Sequence, residues 1–233
     1  MVNIFSWSLS AWVILSVWMG YFFRLHPILL LISFFCGWKI TKILDVETKT
    51  KQPREYTYWI LLLCLFVIIS ASYIFFGIQK GFDLSADATP SVAAHYIQAK
   101  IPHTFFPDFD LLFLYQVGLP VLVSQLAWTG ISIHTLGWGL GLLGIVLALI
   151  YFSEWTFYVT QSSAAAVLSV IFLAASRLMG LNLLVGEYPW LLSLGIGLFA
   201  MVQLTYAGKW GILPLVATWM VHPLGSRNLW VTA

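Results

Sequence analysis

The stretch from Gly77 to Asp110 is polar, and it interrupts a chain that otherwise runs in long apolar blocks. It holds Asp83, Asp87, His95, Lys100, His103, Asp108 and Asp110. Any fold must keep these ionisable groups in water while hiding the blocks on either side, so the chemistry of the chain is expected in this stretch. The blocks need a solvent of their own. With 61% hydrophobic residues, 9% charged residues and a mean hydropathy of +0.91, the sequence lies outside the range of soluble domains. It reads as an all-helical, polytopic integral membrane protein, multi-pass in the cell membrane.

A spanning helix needs about 20 mainly apolar residues to cross roughly 30 Å of hydrocarbon. Eight blocks approach this, at residues 3–23, 27–44, 57–77, 109–128, 131–152, 162–179, 189–207 and 209–224. The last contains Pro214 and Pro223, which suits a kinked or re-entrant segment as well as a crossing. The first lacks the basic start and small-residue cleavage site of a removable signal, so it reads as a retained helix. Cys36 and Cys64 sit inside apolar blocks without a CxxC or a Cys/His neighbour, and are expected to pack rather than bind metal. A net charge of +2 supplies no dense basic patch, which excludes nucleic acid as a partner.

Orientation follows from Lys and Arg in short loops. The 45–56 loop, with Lys49, Lys51 and Arg54 beside Lys42, is the richest and is expected to be cytoplasmic. Counting one crossing per block, the 78–108 loop and the loop around Glu154 are then external, while Arg177 and the turn Gly186-Glu187-Tyr188-Pro189 are internal.

Within the long loop, Thr89-Pro90 has the form of an N-cap followed by proline at the first helical position. A short amphipathic helix is expected over about 90–100, with Val92, Ala93, Tyr96 and Ile97 on one side and Ser91, His95 and Gln98 on the other. Asp87 precedes it, where free backbone N–H groups and the helix dipole favour a carboxylate. That position suits capping and catalysis equally. Ile101-Pro102-His103-Thr104-Phe105-Phe106-Pro107 suits an extended interfacial stretch leading into the fourth block.

The run Asp-Ala-Thr-Pro-Ser-Val-Ala-Ala-His-Tyr-Ile, followed by Ile-Pro and Phe-Phe-Pro, resembles the first luminal loop of GT-C-type membrane glycosyltransferases. Gly186-Glu187-Tyr188-Pro189, opening the block Trp190–Ala200, is similar to a turn and helix later in that transmembrane core. The resemblance covers residues 57–207. It implies transfer of a sugar from a polyprenyl-phosphate-type donor at the external membrane face, with the lipid bilayer and a lipid-linked sugar donor as partners. Asp87 matches the loop Asp that acts as base or helps hold a metal, Asp83 is its substitute, and Glu154 falls where the second external loop offers an acid. Near Asp87, His95, Lys100 and His103 are the groups that could offset charge on a departing phosphate, and Arg177 could bind a lipid phosphate. The loop Phe152–Ser162 holds one acid and no Asp-x-Asp pair, so a divalent-metal site is not supported and the cofactor stays open. Family members usually carry more core helices, which implies a truncated or minimal form here, with two helices (1–44) added in front.

Bland readings stand beside each of these. Glu154 next to Trp155 suits an interfacial anchor, and His95 and His103 suit interfacial polar positions. Gly137, Gly139, Gly141 and Gly144 could leave a groove for a prenyl tail, or serve only to let helices approach. The rival class is a non-enzymatic membrane protein, a transporter component or a structural subunit of a complex. Transporters place ionisable groups at the bilayer midplane, and these apolar blocks hold almost none. They also lack the Lys, paired His, or Ser/His and Asp/Asp sets that retinal, haem or intramembrane proteolysis would use.

Overall fold

The computed structural model describes residues 2–22, 28–44, 54–78, 118–176 and 187–222, and among these residues the protein is all-helical. In chain order the helices are α1 (Val2–Phe22), α2 (Ile28–Ile43), α3 (Arg54–Ile78), α4 (Gly118–Leu126), α5 (Ile133–Thr160), α6 (Ser163–Ala174), α7 (Tyr188–Ala207) and α8 (Ile212–Val221). Two helices, over Thr135–Thr160 and Tyr188–Tyr206, are long and apolar enough to cross a membrane by length and composition; Asn3–Trp18, Thr57–Ala71 and Ser163–Ala174 are shorter apolar helices. The expected eighth span resolves into a 3-10 turn, Gly208–Gly211, and the ten-residue α8, which contains Pro214.

The expected fifth span stops at residue 152, but α5 runs on to Thr160. No Gly or Pro lies between Phe152 and Thr160 to break it. Termination comes at Gln161, whose φ of 51° is left-handed and whose backbone N–H closes on the Phe157 carbonyl at 2.8 Å. Ser162 then caps α6 by accepting from the Ala165 N–H. At the other end, Ser132 caps α5 by accepting from the Thr135 N–H at 3.1 Å.

α5 and α7 lie side by side and run parallel. Tyr188 packs over Gly137 and Gly141, the Leu191–Leu192 backbone meets Gly144, Gly195 meets Gly144 and Leu147, Phe199 meets Tyr151, and Tyr206 meets Tyr158. At Gly144 a side chain would occupy the space of the Leu191 carbonyl, and at Gly195 that of the Gly144 carbonyl. Only glycine allows two backbones this close. The buried core of Leu147, Ala148, Tyr151, Leu191, Leu192, Ile196 and Phe199 grows from that crossing.

α1 runs the opposite way to α5. The Ser6 hydroxyl meets the Tyr151 phenol at 2.6 Å and Trp7 packs edge-on against Phe199, whereas Trp12 and Ser16 reach Gln125, on the helix that turns through Ala127–Thr129 into the start of α5. α2 lies against α1 with Gly37 beside Ser8, whose hydroxyl also donates to the Phe34 carbonyl at 3.5 Å.

Its direction follows from chain reach. Phe22 lies about 21 Å of helix beyond Ser8, and Ile28 about 13 Å of helix before Gly37. If α1 and α2 were parallel, Phe22 and Ile28 would be roughly 34 Å apart, beyond the ~21 Å that six residue steps can span. The pair is therefore antiparallel, and α2 ends where α1 begins.

Leu44 thus leaves the bundle at the end where α5 stops at Gln161. The Gly208–Gly211 turn is at that end too, because Tyr206 packs on Tyr158 and Gly211 against Leu204. The crossing count had put the 45–56 loop and the loop around Glu154 on opposite faces; the structure puts Leu44 and Gln161 at one end. A count inverts with a single miscounted crossing, whereas these contacts fix the ends directly.

Candidate functional site

Of the candidate residues, Asp83, Asp87, His95, Lys100, His103 and Arg177, together with the expected surface helix over 90–100, lie outside the described residues. Glu154 is described. It sits inside α5, nearly two turns before the helix ends, and not in a loop. Phe152 stacks on Trp155 (centroids 6.3 Å, 24° between planes), and Glu154, half-buried, lies three residues after Tyr151 on the same helix. Among the described residues no three His, Cys, Asp or Glu side chains gather to hold a metal ion.

The structure assembles two polar clusters that the loop-centred sequence reading passed over. The first lies between the start of α1 and the second half of α5. Tyr151 donates to the Asn3 carboxamide oxygen at 3.3 Å, which leaves Ser6 as the donor in the 2.6 Å contact with the phenol oxygen. The Ser6 backbone carbonyl in turn accepts from Ser10, one turn along, at 2.9 Å. Tyr151 is fully buried, so each of these bonds replaces one that water cannot supply.

The second cluster centres on Gln125 of α4. Its side-chain oxygen accepts from the Trp12 indole N–H at 2.6 Å and from the Ser16 hydroxyl at 3.2 Å. The indole can only donate, which fixes the carboxamide orientation. The Gln125 amide nitrogen is then buried without a hydrogen-bond partner, as is Nδ1 of His222 at the end of α8.

The sequence carries a readable signal for both clusters: Ser6, Ser10 and Ser16 recur inside an apolar helix, and Gln125 stands alone in Gly-Leu-Pro-Val-Leu-Val-Ser-Gln-Leu. A polar side chain inside a membrane-length apolar block has to find a partner. The clusters are built to hold helices together. Neither offers a nucleophile beside a base, nor an open carboxylate pair.

The four glycines of α5 divide. Gly137 and Gly141 are filled by the Tyr188 ring and Gly144 by the α7 backbone, whereas Gly139 faces open space. Packing therefore accounts for three of them, and the α5–α7 seam leaves no prenyl groove at those positions.

No protein family, curated protein or solved structure matches the chain.

Proposed function

We propose that the protein is a multi-pass membrane glycosyltransferase of GT-C type, which transfers a sugar from a polyprenyl-phosphate-type donor at the external face. The observation that carries this reading is the placement of chemistry. The Gly77–Asp110 stretch concentrates ionisable residues directly after the apolar helix α3, in a chain whose described helices α5 and α7 have the length and composition of membrane spans. A substrate with a lipid tail and a polar head fits a site at such a boundary. In this reading Asp87 removes the acceptor proton as the anomeric bond breaks, Asp83 stands in reserve, and His95, Lys100 or His103 offsets charge on the leaving phosphate.

Glu154 drops out of that site. It lies toward the end of α5 shared with Leu44, from which the 45–56 loop with Lys49, Lys51 and Arg54 departs, and Lys and Arg in a short loop mark the cytoplasmic side. Its role is that of a residue anchoring the end of α5.

The test is turnover of radiolabelled lipid-linked sugars by the full chain in proteoliposomes. Wild-type and Glu154→Gln protein should turn over a donor at similar rates, while Asp87→Asn loses at least about a hundredfold, the size of one general-base contribution. Retained turnover in Asp87→Asn would remove Asp87 from the mechanism. Absence of turnover in all three would favour a structural subunit or transporter component.

A further inference from the structure

The lysines of the described residues lie at one end of the bundle, which also carries Glu154. Lys39 and Lys42 lie on the last turns of α2, and Lys209 lies in the turn after α7. By the contacts that place Leu44, Gln161 and the Gly208–Gly211 turn together, all three belong to one end of the bundle. All three are exposed. Aromatic rings stand with them: Trp38, over which the Lys39 ammonium sits 5.6 Å from the ring centroid, Trp210 next to Lys209, and Tyr158 near the end of α5. These rings are each about two-fifths exposed (38%, 39% and 39%). At the other end, where α5 and α7 begin, the described residues include no lysine, and Glu187 stands at the start of α7.

Exposed lysines beside partly exposed Trp and Tyr rings, with the exposed Phe34 and Phe35 inward of them on α2, form a layered surface. Apolar side chains meet acyl chains, rings sit at the glycerol level, and ammonium groups reach the headgroups, their stems lying along the apolar layer.

We infer that this end is a docking surface for anionic phospholipid headgroups of the cytoplasmic leaflet, with Lys39, Lys42 and Lys209 as its cationic contacts. Charge complementarity selects the occupant. A zwitterionic headgroup brings its own cation, which an ammonium group repels, whereas an anionic headgroup offers only acceptors. The adjoining linker adds Lys49 and Lys51 but also Asp45 and Glu47, so the three described lysines are the ones that decide the preference. The inference rests on the membrane reading above and is independent of glycosyl transfer.

The full chain is reconstituted in nanodiscs of equal phosphatidylglycerol and phosphatidylcholine, extracted gently, and its retained lipid quantified by mass spectrometry. Wild type should retain phosphatidylglycerol in excess, and the excess should shrink as salt rises. Each Lys→Gln change at 39, 42 or 209 should lower the preference by up to about fivefold, and the triple variant should lose it. The triple Lys→Arg variant should keep it, which separates charge from fold. Equal retention of both lipids by wild type, or undiminished enrichment in the triple Gln variant, overturns the inference. Loss of glycosyl transfer with lipid enrichment intact would refute only the catalytic proposal.

Discussion

The α5–α7 crossing and the α1 seam are both buried and both hold the bundle together, but they do so with opposite materials. At the crossing, Gly144 and Gly195 remove side chains so that backbones touch, and Leu191, Leu192, Ile196 and Phe199 fill the space around them. At the seam, Ser6, Ser16, Trp12, Tyr151 and Gln125 keep their polar atoms and satisfy nearly all of them pairwise. In a lipid environment apolar contact does not distinguish a helix neighbour from an acyl chain, so association relies on close packing or on hydrogen bonds. One bundle uses both. The crossing fixes which helices are neighbours, and the seam fixes the height and direction at which α1 is pinned.

The largest effect should come from breaking the crossing. Gly144→Leu drives a side chain into the Leu191–Leu192 backbone, which has no flexible atoms to yield. It should cost about 3 kcal/mol or more and abolish a monodisperse folded peak on size exclusion after mild heating. A variant that elutes and melts like wild type would mean that α5 and α7 are not in contact there.

Tyr151→Phe comes next, because it leaves Ser6 and Asn3 facing a ring that can neither donate nor accept. A loss of about 1 kcal/mol is expected in thermal unfolding, with no change in the crossing. Gln125→Leu should cost less. It strands the Trp12 N–H and frees the Ser16 hydroxyl, which can turn to a carbonyl of its own helix, but also removes an amide nitrogen that is already unpartnered, so the net change should stay within about 1 kcal/mol. A larger loss would show that the Gln125 amide has a partner. Gly139→Ala should be the mildest, neutral or stabilising by up to about 1 kcal/mol, since nothing lies near its Cβ and alanine favours the helix.

The helices themselves were largely legible in the sequence. Each apolar block in the described residues contains a helix, and the breaks at Gly130, Gln161 and Gly208 fall between blocks. Hydropathy sees where a block is apolar but not where its helix stops, which is why α5 was expected to end at 152 and Glu154 to lie in a loop. The short α8 shows the same limit, because Pro214 near its start is compatible with an N-terminal turn while the block as a whole reads as a crossing.

Which end each loop leaves from was not legible. Parity counting has no memory of contact, and the pairs that decide the matter, Ser6 with Tyr151 and Ser8 with Phe34 and Gly37, are separated by 145 residues in one case and 26 in another. The candidate catalytic loop was legible only as a pattern of residue types, and its acids lie outside the described residues.

The most direct test of this account labels two positions on either side of the disputed parity. In a Cys36→Ala, Cys64→Ala background, single cysteines replace Thr50 in the 45–56 loop and Ser163 at the start of α6. Each is exposed to a membrane-impermeant maleimide in right-side-out and in inverted vesicles. Labelling of both positions from the same side, in inverted vesicles, is the expected result. Labelling of Thr50→Cys and Ser163→Cys from opposite sides would contradict the antiparallel placement of α1 against both α2 and α5, and with it both the lysine surface and the removal of Glu154 from the proposed catalytic face.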